Sequence, residues 1–280
     1  MYQSFFGLKE LPFGITPDTE YLYSTTSHQE AMNTLLIALS SGEGFVKITG
    51  EVGTGKTLLC RRLLATLDEK TVTAYLPNPA LEPRMLLLAL AEELKLTLQR
   101  YDYHFHLVKS LEEHLVALAS AGKRVVLCID EAQAIPLESM EMLRLLSNLE
   151  TEKRKLLQVV LFGQPELDEK LADTSVRQLR QRITFDHRLT GLDAGELDAY
   201  LAHRLRIAGH GSGAGVFDKR ATRLLHRLSR GTPRVVNILA HKALLAAFGE
   251  GLLQVSRKHV MEAARDSQAI VSKRALWMPV

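Results

Sequence analysis

One short segment in the first quarter of the chain has the residue types and spacing of a phosphate-binding loop. It fits G-x-x-x-x-G-K-[ST], and with the next residue it reads Gly50, Glu51, Val52, Gly53, Thr54, Gly55, Lys56, Thr57 and Leu58. Glycines let the backbone curl so that its N–H groups point at phosphate oxygens, and the following helix adds its positive dipole end. We expect Lys56 to reach the β- and γ-phosphates and Thr57 to ligate Mg²⁺. The segment predicts a site for ATP or ADP with Mg²⁺; the alternative is a plain glycine turn before a helix.

Two adjacent carboxylates form the second candidate. Asp130 and Glu131 follow an apolar run, residues 125–129, which is typical of a buried strand. Ligands bind at the carboxyl ends of strands in open α/β sheets, so both side chains are expected at such a site. Asp130 would hold Mg²⁺ through water, and Glu131 would polarise an attacking water. The alternative is an acidic pair that merely opens a loop.

Further polar candidates lie in the second half of the chain. Gln164 follows another apolar run and is placed to sense a γ-phosphate or orient a water; the alternative is a turn residue before proline. In the basic segment 176–183, Arg182 and then Arg180 are candidates to stabilise charge on a neighbouring subunit's nucleotide, or else form a solvated helix end. Arg234 opens a later helix and would point back at the nucleotide, unless it is only a surface arginine.

These residues need a scaffold, and the hydrophobic pattern predicts one of α/β class. Apolar stretches predict strands at 44–50, 71–78, 123–132, 156–164 and 182–192, with helical segments between them. Such alternation indicates a parallel sheet, and strands that are apolar throughout indicate helices on both faces. The predicted domains are an N-terminal arm (1–26) packed on the core, an α/β nucleotide-binding domain (27–192), a small all-helical lid (193–268) and a tail (269–280). A helix at 27–40 is expected with Ser27 as its N-cap.

Composition and the N-terminal sequence indicate what kind of globular protein this is and where it is located. Of 280 residues, 46% are hydrophobic, enough for a proper core, and the formal net charge of +3 argues for neither nucleic acid nor membrane. Only Cys60 and Cys128 are present, which excludes a disulfide framework and predicts buried, reduced thiols. The N-terminus lacks the basic and apolar regions of a signal peptide. We therefore expect a cytoplasmic protein with no transmembrane segment and at most peripheral contact with the inner membrane.

The order of these motifs over residues 27–268 resembles the AAA+ ATPases: Walker A, Walker B, sensor 1, arginine finger and sensor 2 in a helical lid. The runs YQSFFGLKELPFGITPDTEYLY, GEVGTGKT, DEAQ, LFGQPEL, LRQRI and GTPRVVNILAHKALLAA resemble the ExeA/GspA group of type II secretion ATPases. They also resemble the short MshM-like ATPases of mannose-sensitive haemagglutinin (MSHA) type IV pilus biogenesis. The resemblance implies a five-stranded parallel sheet in the order 5-1-4-3-2. It also implies Walker roles for Lys56, Thr57, Asp130 and Glu131, with Gln164 as sensor 1 and Arg234 as sensor 2.

Three functional hypotheses follow. The first is an ATPase that forms homo-oligomers in its ATP state and drives or regulates assembly of a type IV pilus or type II secretion apparatus with inner-membrane partners. ExeA-type proteins continue into a transmembrane segment and a periplasmic region, so for this shorter sequence no direct cell-wall role is expected. The second is a DNA-associated AAA+ ATPase, such as a transposition regulator or initiator. The basic segment 177–188 supports this hypothesis. The third is an ATP switch that does not hydrolyse its nucleotide.

Overall fold

The computed structural model describes residues 2–16, 18–97, 104–150, 155–211 and 215–267. These residues fall into two units: an α/β unit within 28–50 and 59–189, and a mainly helical unit within 1–27, 51–58 and 190–280. The predicted tail, 269–280, lies outside the described residues.

The described part of the α/β unit contains five strands: β1 Phe45–Gly50, β2 Thr71–Leu76, β3 Arg124–Ile129, β4 Leu157–Gly163 and β5 Ile183–Leu189. They form one sheet in the order β2-β3-β4-β1-β5, and each neighbouring pair is parallel. This is the predicted order read from the other edge, so the predicted fold class is confirmed. Because all strands run in one direction, their carboxyl ends lie along a single edge of the sheet, where ligands bind in this architecture.

Helices cover both faces of the sheet. They are α1 Thr26–Ser40, α2 Lys56–Thr66, α3 Pro83–Glu93, α4 His104–Ser120, α5 Leu137–Leu146, α6 Glu166–Leu171 and α7 Arg177–Arg180. Along β3, Val125 and Leu127 pack in a core with α3, α4 and α5, whereas Val126 and Cys128 pack in a second core with α1 and α2. Both sets of side chains are buried, which explains why this strand is a continuous apolar run.

The strand at one edge departs from that pattern. We expected every strand to be apolar throughout, and this is wrong for β5, whose odd and even residues alternate between partly buried and exposed. The exposed Asp186 of β5 has a specific partner, since it lies 2.9 Å from Nζ of the buried Lys47 on β1. Lys47 also pairs with Asp168 of α6. Burial lowers the pKa of Lys47, but hydrogen bonds to these two carboxylates outweigh burial and raise the pKa above its ordinary value.

The start of α1 also differs from the prediction. The helix begins at Thr26, so Ser27 lies inside the first turn and is not the N-cap. The Ser27 hydroxyl oxygen instead accepts a hydrogen bond from the backbone N–H of Thr190 at 3.1 Å. The side chain that the local sequence pattern assigned to helix capping therefore makes a hydrogen bond with a residue that is distant in sequence.

The helical unit contains α8 Ala194–Ile207, α9 Lys219–Ser229, α10 Pro233–Gly249 and α11 Arg257–Arg265. Its core includes aromatic residues of the N-terminal arm, among them Tyr2, Phe6 and Phe13. We predicted that this arm packs on the α/β domain; the structure puts its buried side chains in the helical unit instead. Arg204 of α8 fixes the arm, because its guanidinium donates to the carbonyl oxygens of Pro12 at 2.7 Å and Gly14 at 3.2 Å.

Candidate functional site

The loop between β1 and α2 is folded tightly on itself. Gly53 and Gly55 have φ values of +83° and +98°, a region that residues with a side chain rarely adopt. The hydroxyl of Thr54 donates to the carbonyl oxygen of Glu51 at 2.8 Å, and Nζ of Lys56 donates to the same oxygen at 3.1 Å. Lys56 is 5% exposed, so its ammonium group is held against the loop backbone and not in solvent. The predicted glycine conformations and the position of Lys56 thus suit a phosphate-binding loop.

Arg234 lies directly on this loop. It is the second residue of α10, after Pro233, and its backbone N–H donates to the carbonyl oxygen of Gly53 at 3.3 Å. The first N–H groups of a helix have no partner within the helix, so the loop carbonyl satisfies one of them. A Cβ atom at Gly53 would lie 2.4 Å from Cβ of Arg234, a distance that side chains do not tolerate. A glycine is therefore required at Gly53 for close approach as well as for backbone conformation.

The carboxylate pair lies where β3 ends. Asp130 is 3% exposed, and its backbone N–H donates to the carbonyl oxygen of Leu76 at 2.9 Å, which continues the ladder with β2 by one residue. Glu131 then turns the chain with φ 51° and ψ 40°, the left-handed region that is strained for a residue with a side chain. Its N–H donates to Oδ1 of Asp130 at 3.0 Å, which stabilises the turn. Both residues thus lie directly at the carboxyl end of β3, at the edge of the sheet.

Two side-chain amides hold the carboxylate of Glu131. Oε2 of Glu131 accepts from Nε2 of Gln133 at 2.5 Å and from Nε2 of Gln164 at 2.9 Å. Gln164 follows β4, which is adjacent to β3, so the sheet order brings the predicted sensor 1 residue to the predicted catalytic carboxylate. Hydrogen bonds to a charged acceptor are stronger than neutral ones, so the pair fixes the carboxylate effectively.

Gln133 was not among our predicted site residues. Besides holding Glu131, its Oε1 accepts the backbone N–H of Gln164 at 3.0 Å. Its own carbonyl oxygen accepts from Nζ of Lys170 at 2.6 Å, and Lys170 also donates to the carbonyl oxygen of Ile135 at 2.8 Å. Gln133 therefore links the turn after β3 to the turn after β4. The sequence signal was present, since the run DEAQ places this amide two residues after Glu131.

The two arginine finger candidates have different surroundings. Nη1 of Arg182 donates to Oγ of Ser147 at 2.9 Å and to the carbonyl oxygen of Arg144 at 3.4 Å, at the end of α5. Arg180 is exposed and makes no side-chain hydrogen bond or ion pair within the described residues. Arg182 is thus already engaged within its own unit, whereas Arg180 is available to another molecule.

Two buried thiols pack in the core beside this sheet. Cys60 and Cys128 are both free and buried, as predicted from the sequence. The pKa of Cys60 is raised by its hydrogen bond with Cys128 and by burial, so the nucleophilic thiolate is disfavoured. Tyr75, on the neighbouring strand β2, has its pKa raised to about 12 by burial and by the charge of Asp130. The raised pKa values of Cys60 and Tyr75 disfavour both groups as nucleophiles or bases at neutral pH.

The two residues predicted to ligate Mg²⁺ both carry oxygen donors. The candidates are the hydroxyl of Thr57 and the carboxylate of Asp130, both hard oxygen ligands. Within the described residues no group of three or more His, Cys, Asp or Glu side chains could hold a metal ion.

Comparisons with known proteins agree with this geometry. Residues 39–171 match the family described as AAA domain. Over 270 residues the chain is 44% identical to General secretion pathway protein A of Aeromonas hydrophila, which covers 96% of this chain and 49% of that protein. The chain therefore spans about half the length of this curated relative.

Solved structures match the fold. Cdc6p of Pyrobaculum aerophilum has a TM-score of 0.69 at 17% identity, covering 94% of this chain and 74% of that chain. The ORC2 protein of Aeropyrum pernix has a TM-score of 0.62 at 17% identity, covering 92% and 74%. At this identity the likeness concerns the fold alone.

The chain thus has the P-loop AAA+ fold. More particularly, the predicted resemblance to the ExeA/GspA-type AAA+ ATPases is confirmed by its similarity to the Aeromonas protein. Within the described residues, no helix combines the length and apolar character needed to cross a bilayer.

Proposed function

We propose that this chain is a Mg²⁺-dependent ATPase whose loop 50–58 binds ATP or ADP and whose Glu131 activates the attacking water. The main observation in support is that two side-chain amides donate to one carboxylate oxygen: Nε2 of Gln133 and Nε2 of Gln164 lie 2.5 and 2.9 Å from Oε2 of Glu131. A general base must be oriented before it can take a proton, and hydrogen bonds from two side-chain amides supply that orientation.

The other residues have complementary roles in this proposal. Backbone N–H groups of residues 53–58 and the ammonium of Lys56 bind the phosphates, and Gln164 orients the water or senses the γ-phosphate. Thr57 and Asp130 would hold Mg²⁺, which when bound neutralises charge on the phosphate oxygens. Arg234 is placed by its contact with Gly53 to respond to the nucleotide, since any shift of the loop carbonyl moves the first turn of α10.

Hydrolysis by AAA+ proteins in oligomers uses an arginine from the adjacent subunit, and the described contacts favour Arg180 for this role. Arg180 is exposed, and its side chain makes no hydrogen bond or ion pair with any residue that the structure describes, whereas Arg182 donates to Ser147 and to the end of α5. Arg182 would then position the segment from which Arg180 projects. This reverses the ranking that the sequence alone suggested.

The biological role proposed is to drive or regulate assembly of a type II secretion apparatus or of a related type IV pilus. Its support is the 44% identity to a protein named for the general secretion pathway. We place the chain at the cytoplasmic face of the inner membrane, in contact with membrane-embedded assembly proteins.

Steady-state ATP turnover measured against protein concentration tests the enzymatic part. We expect specific activity to rise with concentration, to be abolished in Lys56→Ala, and to fall at least about tenfold in Arg180→Ala with ATP binding retained. Arg182→Ala is the matched comparison, with a smaller effect expected. ATP binding without turnover at any concentration would favour a switch that does not hydrolyse ATP.

Complementation of a strain that lacks the gene tests the biological part. Wild type should restore secretion or piliation, and Glu131→Gln expressed at the same level should not. Equal restoration by both would refute a role that depends on hydrolysis. Binding of duplex DNA at low salt would support the DNA-associated alternative instead.

A further inference from the structure

A pocket in the helical unit is lined by four arginines. Its volume is about 500 Å³, and its lining residues are Arg220, Arg223, Leu224, Arg227 and Arg257. Three of the arginines lie on α9 and the fourth begins α11. None of the nucleotide-site candidates lines this pocket.

The positive charge of this pocket is not neutralised. Within the described residues, none of the four arginine side chains makes a hydrogen bond or an ion pair. The parts of the helical unit that are not described, residues 1, 17, 212–214 and 268–280, contain no aspartate or glutamate. The unit therefore has no further carboxylate side chain to pair with them.

Local structure makes this concentration of charge unfavourable without an anion. Lys219 is the first residue of α9, a helix with no acidic residue, and like charges spaced three or four residues apart repel one another. Arg220 and Arg257 lie in the first turns of α9 and α11, where the helix dipole disfavours cations and favours anions. The start of α11 thus adds to the positive potential of the pocket, whereas the start of α9 is capped by the carboxylate of Asp218, which accepts the N–H of Ala221 at 2.6 Å.

An unpaired buried donor points to the same conclusion. Nε of Arg227 is buried and has no hydrogen-bond partner among the described residues. Buried polar groups are nearly always hydrogen-bonded, so this atom requires an acceptor. Guanidinium groups pair with phosphate oxygens through two parallel hydrogen bonds, a geometry that suits several arginines around one polyphosphate.

We propose that this pocket binds a small phosphorylated molecule that carries at least two phosphate groups. Four unpaired guanidinium groups match more negative charge than a single phosphate carries. The volume lies in the range of small-molecule sites, about 300–1,000 Å³, and a concave pocket of this size favours a compact ligand over a duplex or a membrane surface. Leu224, which is 4% exposed, gives one wall an apolar surface for a non-phosphate part of the ligand.

Calorimetric titration with inorganic tripolyphosphate tests the proposal. It is done in the Lys56→Ala background, so that the loop at 50–58 does not contribute and the result is independent of whether that loop supports hydrolysis. We expect saturable binding of one tripolyphosphate per chain. Arg227→Gln should weaken it about tenfold or more, because a hydrogen bond to a charged group is lost.

Two further variants control this measurement. Arg223→Gln concerns an exposed residue and should weaken binding similarly without affecting folding, which circular dichroism checks. Arg265→Gln removes the same charge from an exposed position in the last turn of α11, outside the pocket lining, and should leave the affinity within about twofold.

Absence of saturable binding would overturn the proposal, and so would equal weakening by Arg265→Gln and Arg227→Gln. Duplex DNA and phosphatidylglycerol vesicles are titrated in parallel. If either binds through Arg223 and Arg227 while tripolyphosphate does not, the pocket is a macromolecular surface and the small-ligand proposal is refuted.

Discussion

Replacing Gln133 by leucine tests whether the amide grip on Glu131 matters for catalysis. Leucine keeps the approximate volume but cannot donate to Oε2 of Glu131, now 2.5 Å away, or accept the N–H of Gln164, now 3.0 Å away. A hydrogen bond to a charged group contributes about 1.5–3 kcal/mol, and an orphaned backbone N–H costs about 1–3 kcal/mol. Together these losses predict a decrease in stability of about 2.5–6 kcal/mol. If the carboxylate loses its orientation, kcat should fall about 10- to 100-fold.

The two effects are separated by measuring kcat per mole of folded protein together with the free energy of unfolding in urea. Gln158→Leu is the matched control, because Nε2 of Gln158 donates to the carbonyl oxygens of Leu39 at 3.1 Å and Glu43 at 3.0 Å, away from Glu131. That variant should lose comparable stability and keep its kcat. The affinity for Mg-ATP should remain unchanged in both variants, because neither glutamine belongs to the loop at 50–58.

An unchanged kcat in Gln133→Leu would refute the reasoning, since Glu131 would then be oriented without this amide. A higher kcat would contradict it more strongly, because the amide would be restraining the base. An equal fall of kcat in Gln158→Leu would attribute the loss to general destabilisation.

Three further predictions concern the loop, the arm and pH. Gly53→Ala should weaken Mg-ATP binding about tenfold or more, measured by calorimetry, because φ of Gly53 is +83° and the new Cβ would lie 2.4 Å from Cβ of Arg234. Val52→Ala, at an exposed position in the same loop, is the control and should leave the affinity unchanged. Arg204→Met should lower the free energy of unfolding by about 2–4 kcal/mol, because two hydrogen bonds to carbonyl oxygens are lost together with the contact of the guanidinium with the Tyr21 ring at 4.4 Å. Arg206→Met, at an exposed position of the same helix, is the control and should lower it by less than about 0.5 kcal/mol. Burial lowers the pKa of His241 in the folded state, so as the pH falls below about 6.5 the unfolded chain binds the proton before the folded chain does. The free energy of unfolding should therefore decrease between pH 7 and 5, and it should decrease less steeply with pH in His241→Gln. Equal pH dependence in wild type and variant would contradict this prediction.

Much of the fold could be predicted because the inner strands are buried on both faces. β1 was expected at 44–50 and is observed at Phe45–Gly50, and β3 was expected within 123–132 and is observed at Arg124–Ile129. Continuous apolar runs between glycines and charged residues define such strands well. The order of the strands, in contrast, came from family resemblance, because periodicity does not reveal which strands are neighbours.

The failures share one physical cause, which is that they depend on contacts distant in sequence. The arm at 1–26 has no regular period, so nothing local showed that Tyr2 and Phe6 would complete the core of the helical unit. The hydroxyl of Ser27 was assigned to a cap but accepts the N–H of Thr190. The role of Gln133 requires Gln164, 31 residues away, and appears only when β3 and β4 are known to be neighbours.

The arginine pocket shows a signal that was present in the sequence but was not read as a site. In α9, Arg220, Arg223 and Arg227 are spaced three and four residues apart and share one helix face, with no acidic residue in the helix. From sequence this pattern is indistinguishable from an ordinary solvated basic face. Our proposal of a binding site rests on the cavity, on the contribution of Arg257 from α11 and on the absence of ion pairs within the described residues.

The most direct test of the central claim compares Glu131→Gln with wild type for Mg-ATP binding and for phosphate release on the same preparation. The change removes the base and keeps the side-chain size. We predict an unchanged Kd for Mg-ATP and a fall in kcat of about 100-fold or more, the contribution expected of a general base. Phosphate release by Glu131→Gln at the wild-type rate would contradict the account, because the carboxylate that Gln133 and Gln164 hold in place would then have no part in hydrolysis.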